Sequence, residues 1–241
     1  MINNRHAVVW GASGGIGRAL VDALASSGAY DAIHAGSRKN VVSASHIIRP
    51  FTFDLLDEAS IASSASAVAA AGPIDLAIVA TGILHTESHA PEKRFSALSA
   101  EAMIAMFQIN TVGPALIAKH TIHTLPKNGR SVFAVLTARV GSIGDNRLGG
   151  WHSYRASKAA LNMIMTNLAI ELSRTRPHAI AVGLHPGTVD TGLSAPFRKG
   201  VEDGKLFSPT VSARHLLGVI DGLTDTASGS VLAWDGQPIV P

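Results

Sequence analysis

The stretch HAVVWGASGGIGRALVDALASSG, residues 6–28, narrows what this chain can fold into more than any other. An apolar run over 6–12 reads as a buried strand. Glycines follow at 11, 15 and 17, and residues 15–28 carry helical apolar spacing that stops at Gly28. A strand that turns through glycines straight into a helix opens a crossover unit, whose next strand lies parallel to the first. The pattern then repeats. Strands are expected at 32–37, 47–54, 74–82, 131–137, 179–185 and 230–235. Helices are expected at 57–71, at 99–124 from a Ser99 cap, at 153–174, and at 209–222 from Ser208-Pro209. This alternation predicts an α/β protein with a doubly wound parallel sheet of about seven strands, helices on both faces, in one domain over 1–241.

Composition fits that fold and excludes several functions. Hydrophobic residues make up 46% and charged residues 15%, as suits strands buried on both faces. With no cysteine there is no disulfide, thiolate metal site or cysteine nucleophile. MINNRHAVVW lacks a signal-peptide core and no apolar run approaches bilayer length, so a cytoplasmic chain free of membrane is expected. Net charge is +3, but the basic residues are scattered pairs (Arg38-Lys39, Lys93-Arg94, Arg198-Lys199) and aromatics reach only 5%, which argues against nucleic acid. No metal site is expected. His85 and His89 read as loop residues beside Pro91, and His120 and His123 share a helix face with no acidic partner in the local sequence. Met103, Met106 and Phe107 read as packing residues. So does a stripe of Ala159, Ala160, Met163, Ile164 and Leu168, set against the sheet or a neighbouring subunit.

The glycine turn GASGGIG (Gly11, Ser13, Gly14, Gly15, Ile16, Gly17) combines backbone freedom with the free N–H groups of a helix start, and so favours a pyrophosphate. It lacks the Gly-Lys-Ser/Thr of nucleoside-triphosphate loops, which leaves a dinucleotide. An acid ending the second strand would select NAD(H) through the ribose 2′-hydroxyl. Ser37-Arg38 stands there instead, and Arg38 can meet a 2′-phosphate bidentately. NADP(H) is therefore favoured, with NAD(H) the alternative. Further on, SYRASKAAL places Tyr154 and Lys158 one helical turn apart on one face. Alone, that spacing is commoner as a surface contact than as a proton-transfer device.

Together these features resemble the short-chain dehydrogenase/reductase family, with its Rossmann-type fold. GASGGIG matches the glycine motif, Tyr154-x-x-x-Lys158 the catalytic pair, and Asn110 the helix-borne asparagine. The resemblance implies that Tyr154 is the acid/base, that Lys158 favours its phenolate and bonds the nicotinamide ribose, and that Asn110 holds a water. It also implies cofactor contacts at Asp54 and Leu55, at Ala80, Thr81 and Gly82, and along HPGTVDT at Pro186, Gly187, Thr188, Val189 and Thr191. GSIGDNRLGGWHSYRASKAAL and AWDGQPIVP are similar to a C-factor-like, cell–cell-signalling-like subgroup of carbonyl reductases. The implied activity is NADP(H)-dependent reduction of a small-molecule carbonyl by a homo-oligomer, dimer or tetramer. A nucleotide-binding signalling or regulatory protein is the alternative. Residues 190–207, with Leu193, Phe197 and Phe207, suggest a lid over a moderately apolar ligand.

Two departures stand out. The family's Asn-Asn-Ala-Gly is Val79-Ala80-Thr81-Gly82, and the catalytic serine position holds Ala138. Counting back from Tyr154 favours Ser142 as the replacement hydroxyl, whereas counting along the fifth strand favours Thr137. The longer loop before Tyr154 makes the backward count the weaker, so Thr137 is the expected second donor.

Overall fold

The computed structural model describes residues 5–39, 45–86, 89–197 and 204–241. The chain runs through β1 (His6–Trp10), α1 (Gly15–Ser27), β2 (Ala32–Ser37), β3 (Ile48–Thr52), α2 (Glu58–Ala69) and β4 (Leu76–Val79). Next come α3 (Ala100–Phe107), α4 (Gly113–Thr121), β5 (Ser131–Leu136), α5 (His152–Thr175) and β6 (Ala179–His185). The short strands β7 (Thr188–Val189) and β8 (Leu206–Phe207), then α6 (Pro209–Asp221) and β9 (Val231–Ala233), complete it. Seven strands form one sheet in the order β3-β2-β1-β4-β5-β6-β9, every pair parallel, as the alternation predicts.

This order decides where a ligand goes. The chain steps outward from β1 to β3, returns past β1, and steps outward the other way from β4. In such sheets a crevice opens at the carboxyl ends of the strands beside the reversal, here between β1 and β4. Alternate side chains divide the core between the two faces. Ala7 and Val9 pack toward α1 and α6, and Val8 and Trp10 toward α2, α4 and α5. Fully buried Trp10 meets Phe51 and Phe53 edge-on at 5.0 and 4.9 Å. Burying one such side chain is worth about 1.5–3 kcal/mol.

Helix boundaries follow local chemistry. Asp57, Ser99 and Ser208 accept hydrogen bonds from Ala59, Ala102 and Val211 N–H, capping α2, α3 and α6. Gly28 takes a left-handed φ of 66° and stops α1. The single helix expected over 99–124 is interrupted by a π turn at Gln108–Val112, with Gly113 N–H reaching back to Gln108 O. Pro114 explains it: proline has no N–H to give the Asn110 carbonyl four residues back, so the ladder widens around that residue.

Three expectations need correction. Taken as one unit, Ala100–Thr124 is long and apolar enough to cross a membrane by length and composition, which reading in short runs missed. Here it lies against the sheet, with Asn110, Thr111 and Ile117 buried. His120 does have an acidic partner, Glu58 Oε1 at 3.0 Å, supplied by α2 from a distant part of the chain. The sheet-facing stripe of α5 is Leu161, Met165, Leu168 and Leu172, whereas Met163 is 61% exposed.

Candidate active site

Residues on the inward stripe of α5 carry the first element of the site. Lys158 and Tyr154 continue the Leu161–Met165 face one and two turns toward the amino end, so the packing that seats the helix also buries them, to 4% and 8% exposure. The helix starts abruptly. Gly149, Gly150 and Trp151 have φ of 62°, 66° and 50°, three successive left-handed residues that swing the chain into position. Glu92 accepts from both Ser153 N–H, at 3.2 Å, and the Ser153 hydroxyl, holding the first turn next to Tyr154.

The Lys158 ammonium donates to Leu136 O at 2.8 Å, and no carboxylate pairs with it among the described residues. Burial pushes it down to about 8, and burial likewise drives the Tyr154 phenol well above its ordinary value. A solvated surface pair would show neither shift. Asn110 stands in the π turn, fully buried, with Oδ1 accepting from Ile83 N and Nδ2 donating to Ile83 O, both at 2.9 Å, and to Ser157 Oγ at 3.1 Å. A Cβ on Gly82 would stand 3.3 Å from Asn110 Oδ1 and 3.6 Å from Lys158 Nζ, so Gly82 lies close against both side chains. The three residues implied by the resemblance therefore converge.

Tyr154 and Lys158 face a cavity of about 380 Å³ at the carboxyl ends of the strands, with Asn110 buried behind it. The cofactor candidates Ile16, Ala80, Thr81, Gly82, Pro186, Gly187, Val189 and Thr191 line it, with Thr188. The substrate side is apolar, bordered by Leu84, Val140, Trp151 and Leu193. Of the expected lid, residues 198–203 lie outside the described residues, as does the Arg198-Lys199 pair. The buried Thr81 hydroxyl has no partner among the described residues.

The other cofactor candidates lie around the glycine turn. Gly11 and Ala12 N–H both bond Gly36 O at 2.8 Å, strapping the turn to the end of β2, where Ser37 and the exposed Arg38 follow. Gly17 must lack a side chain: a Cβ would stand 2.1 Å from Gly11 O. On Gly15 it would stand 2.7 Å from Thr191 Cγ2, across the cleft. Gly14 is the amino-terminal cap of α1 and no side chain bonds there, so Ser13 to Gly17 present a helix amino terminus to the cleft. These residues fit a dinucleotide: a close-approach turn, a helix end without an acid, and an unpartnered hydroxyl. Asp54 and Leu55 follow β3, with exposed Asp54 accepting from Leu56 N–H at 2.9 Å and Leu55 packed where a Gly113 Cβ would be.

Thr137, the expected second donor, directly follows β5. It borders the cavity, but its hydroxyl donates to Asn162 Oδ1 at 2.6 Å, and a hydroxyl has one proton to give. Ser142 lines a separate hollow and accepts from Asp145 N–H at 3.0 Å. Ala138 packs against Tyr154 with Leu84 and Met106, an apolar contact where the family has a hydroxyl. Two residues near this site escaped the sequence reading: Glu92, which carries no motif, and His185, absorbed into the HPGTVDT run. Among the described residues no three His, Cys, Asp or Glu side chains gather to hold a metal.

A central sheet of this order, a glycine turn at its switch point and a buried tyrosine–lysine pair in the crevice define a nicotinamide-dependent oxidoreductase architecture. The short chain dehydrogenase family model matches residues 5–202, and the chain belongs to that family. It is 39% identical over 129 residues to 1-hydroxy-2-glutathionyl-2-methyl-3-butene dehydrogenase of Rhodococcus sp. (strain AD45), a match covering 54% of each chain. It is 36% identical over 138 residues to C-signal of Myxococcus xanthus, covering 57% of this chain and 77% of that one. The chain thus spans about half the length of the first of these relatives. The NADPH-bound carbonyl reductase from chicken fatty liver superposes with a TM-score of 0.82 at 23% identity, over 98% of this chain and 99% of that one, which shows the shared fold.

Proposed function

We propose that the chain is an NADP(H)-dependent carbonyl reductase in which Tyr154 is the acid/base. The observation that carries this reading is the burial of Tyr154 and an unpaired Lys158 in one cavity beside the glycine turn. When bound, the nicotinamide supplies or accepts the hydride. The burial-raised phenol keeps its proton until a substrate oxygen gaining negative charge takes it. Lys158, lowered by burial to about 8 and so still cationic at pH 7, then steadies the phenolate one turn away. Asn110 fixes the turn that keeps Gly82 open beside both. Arg38 is the cation available for a 2′-phosphate, and the NADPH-bound relative is consistent with that preference. An apolar strip of Ile104, Val112, Met163 and Ile170, 46–61% exposed on the neighbouring helices α3, α5 and the turn before α4, supports a homo-oligomer that covers it. A purely regulatory role is not favoured, because a binding module has no use for a buried tyrosine–lysine pair.

The test is NADPH oxidation with a panel of ketones, quinones and aldehydes. On any substrate turned over, Tyr154→Phe should cost at least about a hundredfold in rate with NADPH binding kept. Full turnover in that variant would remove Tyr154 from the chemistry.

A further inference from the structure

We propose that His185, through its Nε2–H, is the second hydrogen-bond donor to the reacting carbonyl oxygen, in the place left by the missing serine hydroxyl. This rests on reading the cavity as a carbonyl reductase site. A carbonyl oxygen gaining negative charge is best held by two preorganised donors. Tyr154 is one. Ala138 offers none, the Thr137 proton is committed to Asn162, and Ser142 lies in another hollow.

His185 stands at the end of β6, and strand alternation sets its direction. Ile180, Val182 and Leu184 pack on the α1–α6 side, whereas Ala179 and Ala181 pack on the α5 side, which His185 therefore shares with Tyr154 and Lys158. It lines the same cavity, opposite the strand end that carries Ala138. Its Nδ1 is sealed from solvent with no partner among the described residues, and Nε2 is not sealed. A buried N–H without an acceptor costs more than a buried bare lone pair, so the single proton of the neutral ring belongs on Nε2. Burial holds the ring down to about 4, against the small opposing pull of Asp235 and with Arg139 adding to the effect. At neutral pH the residue is thus a neutral donor with one N–H and no competing acceptor among the described residues.

Glutamine and methionine at position 185 form the discriminating pair. The glutamine amide nitrogen reaches the place of Nε2, and methionine has similar length and no donor. In steady-state kinetics on a substrate the wild type reduces, His185→Met should lower kcat by about ten- to a thousandfold, with KM and NADPH binding nearly unchanged. His185→Gln should restore at least about tenfold of that loss. Equal kcat in both variants and the wild type would overturn the proposal. So would a loss confined to KM, which marks a ground-state contact, or an equal loss in both, which marks ring packing. Tyr154→Phe, run alongside, separates the two levels. If it abolishes turnover while His185→Met does not, only the second donor is wrong. If it leaves turnover intact, the reductase reading itself fails.

Discussion

Lys158 is a residue the fold tolerates rather than one it needs, and Lys158→Met exposes the difference. Burial brings its side chain from 10.5 to about 8. At about 1.4 kcal/mol for each tenfold change in proton affinity, keeping this ammonium inside the folded protein costs about 3 kcal/mol at pH 7. The sign follows from proton counts. Between pH 8 and 10.5 the unfolded chain binds the proton and the folded chain does not, so this contribution raises stability as pH climbs through that window. Below pH 8 the cost is complete. Methionine has similar length and no charge, so it removes the cost but leaves Leu136 O without its donor, a loss of about 1 kcal/mol. The net gain is about 2 kcal/mol, or about 4–8 °C in Tm for a chain of this size.

The assay is thermal or urea unfolding of the cofactor-free protein, wild type against variant, at pH 7 and again near pH 10.5. Other groups titrate over the same range, so only the difference between the two proteins is read. The variant should be the more stable at pH 7 while losing reductase activity, and its advantage should shrink at the higher pH. A variant less stable than wild type at pH 7, or one whose advantage does not change with pH, would refute the reasoning. The gain in stability with loss of activity is the trade expected where a polar group is buried for chemistry.

Two further outcomes are expected. Arg38→Ala should weaken NADPH binding by about 1.5–3 kcal/mol and leave NADH nearly untouched by titration, the scale of a charge-assisted contact; equal losses for both cofactors would remove Arg38 from 2′-phosphate recognition. His34, buried in β2 and held down to about 4 by burial with His6 and Arg49 adding to it, contributes stability that is complete above pH 6.5 and lost as pH falls through 4. That loss is about 3 kcal/mol, and urea midpoints of His34→Leu should fall less steeply over the window than those of the wild type; identical slopes would contradict it.

The parallel sheet was legible because its signals are local and repeated. Each strand is a short apolar run closed by a glycine or polar turn, and a parallel order asks only that helices come between. The interruption of the long helix was harder to see, although its cause is printed in the chain: Pro114 cannot serve the Asn110 carbonyl, and the π turn falls on the residue the site uses. The Glu58–His120 contact and the inward stripe of α5 were not legible. Both depend on which faces the sheet leaves available, a property of assembly rather than of spacing.

The choice of Thr137 rests on reading by position. Counting along the strand treats a shift of one residue as small, but in a strand it turns the side chain to the opposite face. Thr137 follows Phe133 and Val135 onto the α5 face, where the packed helix body supplies Asn162 as its acceptor. Ala138, two residues past the strand, belongs to the small apolar cluster around Tyr154. β6 carries His185 two residues past Gly183 on the α5 side. Thr137 and His185 thus share one face and one cavity, and what separates them is the bond that ties the Thr137 hydroxyl to Asn162. The parity was readable from AIAVGLH, where the small residues Ala179, Ala181 and Gly183 alternate with Ile180, Val182 and Leu184, and the small series ends on the histidine. Alternation along β6 sets His185 on the cavity side, so the proposed donor comes from across the sheet, on the next strand over.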